Sequence, residues 1–303
     1  MLRRVVEFIF FGNYFVGLLA VALSIELSTQ LRLPYNSALY YLLIFCAPVM
    51  YYTYAYTGIL HSDSPSNLRS EWYKSHTALT RITQPLLLLI CVVSAVVLLA
   101  EYWQNIFHLP AAYWVILGVI ALASVLYYGL LPKSLIRINL RNTGWLKAFV
   151  IGFVWGSFVS LLPIIALHIE GKAANVNPVI VMALFVKNWM FCTVNAIMFD
   201  MKDYEDDSNK QLQTFAVTFG IHRTVTFILI PLSVIGMLAM LGMTTYRHFG
   251  WIAISINAIP FILLLLVSWS MHRERNILYY LIVIDGIVLV KALCGIFAMH
   301  FVH

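Results

Sequence analysis

The sequence predicts an all-α membrane protein, a single polytopic bundle of nine transmembrane helices across residues 1–303. Three observations carry this reading. Apolar residues make up 62% of the chain and charged residues 11%, against roughly 45–50% and 25% in ordinary soluble chains. The mean hydropathy is +0.86, and the apolar residues fall in runs close to the roughly 20 residues that cross a bilayer. The alternating ten-residue pattern of a membrane β-barrel is absent.

The first span, about 5–27, follows Arg3-Arg4, and Ala20-Val-Ala22 resembles a signal cleavage site. The run is longer than a signal core and carries Glu7 and Asn13, so a retained helix is expected. The second, about 37–60, ends in a tyrosine cluster in which Tyr52 and Tyr56 share a helix face. That cluster suits an interfacial aromatic belt or a pocket wall equally. The third and fourth, about 82–101 and 111–131, flank an outer loop with Tyr102 and Trp103 at interface level. The remaining spans are about 145–168, 178–200, 223–243, 249–270 and 277–301.

Basic residues orient the bundle. Arg69, Lys74 and Arg81 follow span 2; Lys133, Arg137, Arg141 and Lys147 follow span 4; Lys202, Lys210 and Arg223 follow span 6; Arg273 and Arg275 follow span 8. The opposite loops carry only Arg32, Lys172 and Arg247. The positive-inside rule then places the N-terminus in the cytoplasm and the C-terminus outside, in a membrane of bacterial inner-membrane type. The net charge of +6 follows from this topology and implies no nucleic-acid partner. The four cysteines lie inside predicted spans without a CxxC and read as small buried hydrophobes.

Asp200, Asp203, Glu205, Asp206 and Asp207 put five carboxylates within eight residues at the cytoplasmic end of span 6. Charge runs at helix ends are usually solvated faces. This one stands apart because the chain has only 13 acidic residues in all, and because Asp200 begins it close to the membrane boundary, where an unpaired carboxylate is costly. Asp200, Asp203 and Asp207 fall at i, i+3 and i+7, one face of a continuing helix. A self-repelling carboxylate face suits Mg²⁺, a hard cation that prefers oxygen. Three polar segments, 61–81, 132–147 and 201–222, converge on this side, two mainly basic and one acidic. They fit an anion held partly through metal and partly by direct cation contacts.

The run Asp203-Tyr-Glu-Asp-Asp207, with Asp200 one turn earlier and Thr214-Phe-Ala-Val-Thr-Phe-Gly220 downstream, resembles the second aspartate motif of the UbiA-type intramembrane prenyltransferases. Nine helices, the expected orientation, and Lys147 followed by Gly152, Trp155 and Gly156 are also similar to that family. The resemblance implies a UbiA prenyltransferase-like fold. It further implies an enzyme that ionises a polyprenyl diphosphate, with Mg²⁺ held between aspartate-rich motifs after spans 2 and 6. The carbocation would then alkylate a lipid-soluble, aromatic or other acceptor drawn from the bilayer. Asp203 and Asp207 are the expected principal Mg²⁺ ligands, with Asp200 in support. Lys147, Arg141, Arg69 and Lys210 are the candidate catalytic contacts to diphosphate. The family's first motif, Asn-Asp-x-x-x-Asp, has no counterpart here. Its positions fall near Tyr56, Thr57 and His61, and only Asp63 is acidic. Asn67 and Arg69 could meet diphosphate directly; His61 could ligate a metal, although Mg²⁺ prefers oxygen.

Two alternatives stay open on the sequence. One is a non-catalytic relative that binds isoprenoids or quinones or scaffolds a membrane complex, favoured by the missing first motif. The other is a transporter using Lys187, Asp285 and Lys291, against which no repeated pair of interrupted spans is visible. Intramembrane charges face the bundle interior and pair, and an ion pair between Asp285 and Lys187 is the expected example. Trp72, Tyr73 and Trp145 read as membrane anchors.

Overall fold

The computed structural model describes residues 2–57, 68–128, 144–172, 176–202, 204, 212–273 and 275–302. Among them the chain is all helical. The elements that build the bundle are α1 (Leu2–Phe11), α2 (Tyr14–Leu31), α3 (Ala38–Thr57), α4 (Leu68–Ser75), α5 (Thr77–Phe107), α6 (Ala111–Tyr128), α7 (Leu146–Ser160), α8 (Leu162–Ile169) and α9 (Pro178–Lys202). They continue with α10 (Phe215–Phe219), α11 (Ile221–Thr224), α12 (Ile230–Tyr246), α13 (Trp251–Ser270), α14 (Ile277–Tyr279) and α15 (Asp285–Ala298). One π turn, Val225–Leu229, joins α11 to α12, and another, Tyr280–Ile284, joins α14 to α15.

Seven helical segments are long and apolar enough to cross a membrane, by length and composition, among the described residues. Two shorter apolar helices, Ala38–Tyr54 and Ala111–Val125, stand where the second and fourth spans were expected. The first span differs from expectation. Asn13 adopts a left-handed conformation with φ 64° and Gly12 precedes it, so the helix breaks there. The crossing segment is Tyr14–Leu31, and α1 is a separate helix whose Phe11 packs with Trp72, Tyr73 and Leu281.

Neighbouring helices close most of a ring: α2 packs on α3, α3 on α5, α6 on α7, α7 on α9, α9 on α12, α12 on α13, α13 on α15, and α15 back on α2. The tightest seam is α7 against α9, and small residues explain it. A methyl at Gly152 would collide with the Thr193 hydroxyl and stand 2.8 Å from its backbone nitrogen; one at Gly156 would stand 3.0 Å from Trp189 Cα. Without a hydrophobic drive between helices in lipid, such close backbone approach is what dispersion packing requires. The antiparallel register set by these two contacts carries Lys147 to the level of Asp200.

The ion pair expected between Asp285 and Lys187 is replaced by another. Glu26 of α2 accepts from Lys187 Nζ at 3.2 Å and from Lys291 Nζ at 2.6 Å, all three nearly fully buried. Gln30 extends the cluster, accepting from Lys187 at 3.2 Å and donating to Asn257 at 3.4 Å. Gly295 makes room, since a methyl there would lie 2.5 Å from Glu26 Oε1. Asp285 begins α15 half-buried, beyond a π turn. The bundle therefore ties α2, α9 and α15 together through one carboxylate and two ammonium groups. Glu26 carries the one signal that could have found it, a carboxylate deep in an apolar span.

Trp72 and Tyr73 also depart from expectation. They are 8% and 2% exposed, packed under α4 rather than set at an interface. Trp145 is exposed, as an anchor should be.

Candidate functional site

The sequence places the chemistry at the end of the bundle where α9 finishes. Asp200 sits in the last turn of α9, 4% exposed, and Lys147 in the first turn of α7. Their side chains meet, Nζ to Oδ1, at 2.6 Å. A carboxylate buried beside a ring of apolar helices needs such a partner, because desolvating it alone costs several kcal/mol by general estimates. The Gly152 and Gly156 contacts supply the geometry, so motif residues that seemed separate in the sequence serve one pairing.

Asn195 lies on α9 below Asp200. Its Nδ2 donates to the Ile284 carbonyl at 3.4 Å, at the π turn where the regular helical bonding pattern is interrupted. Asn195 Oδ1 is buried without a hydrogen-bond partner among the described residues.

Downstream, the TFAVTFG run has a structural explanation. Thr214 is the N-cap of α10, its hydroxyl accepting from the Val217 amide at 3.4 Å. Gly220 ends the helix at φ 78°, ψ 158°, a region that L side chains rarely enter. Thr224 then donates to the Phe215 carbonyl at 3.0 Å. Gly144, at φ 61°, lies so close to Gln213 that a methyl would stand 2.6 Å from its carbonyl carbon. The segment entering α7 is thereby held against the segment entering α10, and both lead to the Lys147–Asp200 pair.

Arg69 belongs to a second polar knot on this side. Its Nε and Nη2 donate to the Phe11 carbonyl at 3.1 and 3.0 Å, and Nη2 also reaches Asn13 Oδ1. Tyr73 donates to the same carbonyl at 2.8 Å, and Asn13 Nδ2 donates to Thr53 and Tyr73, both at 3.1 Å. These bonds occupy the Phe11 carbonyl beside the helix break at Gly12–Asn13 and clamp α4 across it. Asn13 and Tyr73 are the residues sequence reasoning did not assign here; an Asn after Gly inside an apolar run was the available signal.

Of the expected metal ligands, Asp200 is the described one, and it is engaged with Lys147. Asp203 and Asp207 lie outside the described residues, as do Arg141 and Lys210 among the diphosphate contacts and His61, Asp63 and Asn67 in the segment after span 2. No group of three or more metal-ligating side chains occurs among the described residues. The described donor set therefore suits a cation–anion contact.

An apolar cavity of about 220 Å³ opens between α3, α6 and α7, lined by Pro48, Tyr51, Tyr52, Ile151, Trp155 and Phe158 among others. Trp155 donates to the Tyr52 hydroxyl at 2.8 Å, fixing both rings. Tyr52 is thus a pocket wall, and Tyr56 lies outside the residues whose side chains are described.

No curated protein matches this chain, and no solved structure does. The model of the UbiA prenyltransferase family matches residues 75–277, taking in α5 through the start of α14, the Lys147–Asp200 seam and the acidic run. A match over that share of the sequence, on an all-helical bundle of apolar spans, makes this membrane protein a member of the UbiA prenyltransferase family.

Proposed function

We propose that this protein transfers a prenyl group from an isoprenoid diphosphate to a lipid-soluble, aromatic acceptor, with Mg²⁺ assistance at the cytoplasmic face. The family match over residues 75–277 carries the reading, since membership implies membrane prenyltransferase activity in general. Residue chemistry supports the diphosphate, the metal and the cytoplasmic side.

The reaction breaks the allylic C–O bond, and diphosphate departs with the electron pair. A carbon of the acceptor attacks the resulting cation and then releases a proton. Mg²⁺, when bound, would neutralise charge gathering on the departing diphosphate, and Asp203 and Asp207 would hold it. Lys147 supplies a cation at the end of α7, and Asp200 fixes where that ammonium stands at 2.6 Å. Positioned charge of this kind favours a leaving group more in a dry site than in water. Arg69, buried and anchored on the α1–α2 break, holds α4 over the same end of the bundle; Arg141 and Lys210 would add to the cationic surround. The cavity between α3, α6 and α7 supports the apolar half of the proposal. Its rings present electron-rich faces that shield a carbocation from water and stabilise it by cation–π attraction.

The test is binding of a non-ionisable prenyl thiodiphosphate to purified protein in detergent, with and without Mg²⁺. Metal-dependent binding that is lost in Asp203→Asn/Asp207→Asn is the expected result. No binding by a folded protein under either condition would remove the diphosphate reading and leave a family fold with a non-catalytic role.

A further inference from the structure

A cavity that the Lys147–Asp200 pair does not line lies on the same side of the bundle. It measures about 500 Å³ and opens between α11 and the turn joining α13 to α14, lined by His222, Trp269, Ser270, His272, Arg273 and Arg275. We infer that this cavity binds the phosphate headgroup of an anionic membrane lipid.

Charge is the first argument. Two arginines, Arg273 and Arg275, line one concave surface beside the His222 and His272 rings, which lie 4.7 Å apart. No carboxylate lines the cavity among the described residues. Positive-inside bias explains why basic residues lie in this loop, but it gives no reason for them to gather around a hollow.

The hydrogen-bond inventory is the second. Arg275 donates from Nη2 to the Ser270 carbonyl at 3.2 Å and stacks 4.7 Å above the Tyr279 ring. His272 Nδ1 donates to the Trp269 carbonyl at 2.7 Å, and Ser270 Oγ bonds the Val267 carbonyl and the Tyr279 hydroxyl. Arg275 Nε is left buried without a hydrogen-bond partner among the described residues. A cluster that has spent its nearby carbonyls and still holds an orphan guanidinium N–H is short of acceptors, and orphan buried polar atoms call for an explanation. A phosphate carries several strong acceptor oxygens and pairs with guanidinium through geometrically matched bonds.

Position selects the source. Trp269, 62% exposed, closes the last turn of α13, and indole at the end of a span marks headgroup level. Orientation by the basic loops puts the cavity in the cytoplasmic leaflet, whose anionic lipids attract juxtamembrane cations. A lipid there presents phosphate at the cavity while its chains remain in the bilayer beside α13.

The experiment measures binding of dioctanoyl phosphatidic acid, dioctanoyl phosphatidylcholine and inorganic phosphate to the whole protein in detergent. Arg273→Gln/Arg275→Gln is compared with Arg4→Gln/Arg81→Gln, which removes the same charge from exposed positions elsewhere on that side. Phosphatidic acid should bind, and the cavity double variant should weaken it by about tenfold or more, given the usual contribution of each basic residue near an anionic lipid. The remote double variant should stay within about threefold, as screened, distant charge predicts. Equal losses in both variants would reduce the site to diffuse surface charge and overturn it. Inorganic phosphate binding as tightly as the lipid, or phosphatidylcholine matching phosphatidic acid, would overturn the assignment to an anionic lipid. If the cavity double variant fails to fold, Arg273→Gln alone serves in its place and should weaken phosphatidic acid binding by about fivefold, with Arg81→Gln as its remote control. Folding is verified by monodisperse elution and unchanged prenyl thiodiphosphate binding.

Discussion

Lys147 and Asp200, 53 positions apart in sequence, meet at 2.6 Å across the α7–α9 seam with side chains 14% and 6% exposed. Had each acted alone, one as a diphosphate contact and the other as a metal ligand, their coupling would be incidental. Their pairing makes each the determinant of the other's position. A double-mutant cycle with Lys147→Met and Asp200→Asn, read by denaturation in detergent, should return a coupling energy of about 1–3 kcal/mol. Additivity to within about 0.5 kcal/mol would show that the contact contributes nothing measurable.

The seam that creates this pair should be sensitive to single methyl groups. Gly152→Ala forces its new carbon into Thr193, whereas Gly156→Ala meets Trp189 Cα at 3.0 Å, tight but adjustable. Overpacking of this kind costs about 1–3 kcal/mol, with Gly152→Ala expected at the upper end and Gly156→Ala near the lower. Gly118→Ala, which meets nothing within 4 Å among the described residues, should not destabilise, since Ala favours a helix interior over Gly. Thermal unfolding of the three variants checks the order; a Gly152→Ala protein as stable as Gly118→Ala would refute the close seam.

Glu26 serves two lysines, so its loss should cost more than the loss of either. Glu26→Gln leaves Lys187 and Lys291 buried without their counter-charge, a change that typically destabilises by about 3–5 kcal/mol. Lys187→Met keeps the Glu26–Lys291 bond at 2.6 Å and should cost clearly less. Comparing unfolding midpoints of the two variants tests this. Should Lys187→Met prove the more damaging, the carboxylate is not the hub.

The parts of this molecule legible in the sequence are those governed by local rules. Apolar run length placed the helices, and Asn276, which caps α14 by accepting from the Tyr279 amide at 2.8 Å, begins the last span where the pattern does. The acidic run and the TFAVTFG tail pointed to a family that the match over residues 75–277 bears out. Pairing between distant elements was not legible. Lys187 and Lys291 announced a need for carboxylate, but nothing local distinguishes Glu26 from Asp285 as the supplier, because the choice depends on helix rotation and on the space left by Gly295. The break at Gly12–Asn13 was missed because hydropathy runs straight through it. Trp72 and Tyr73 look like interface aromatics until α4 folds them beneath that break.

Gly220 offers a test that separates loop geometry from bundle stability. Its φ of 78° with ψ of 158° is a conformation that costs an L residue of order 1–3 kcal/mol, yet a methyl there would touch nothing within 4 Å among the described residues. Gly220→Ala therefore carries no steric penalty against the bundle. Relief comes by shifting the turn between α10 and α11, which displaces α10 and the segment running back from Thr214 toward Asp207. If that segment holds Mg²⁺, the variant should weaken Mg²⁺-dependent binding of prenyl thiodiphosphate by about tenfold or more, the equivalent of that conformational cost. Thermal unfolding of the spans should shift far less, because the helix seams are untouched. Parallel titration and melting curves read the two effects separately. Binding that survives intact would mean that the TFAVTFG turn does not position the acidic run.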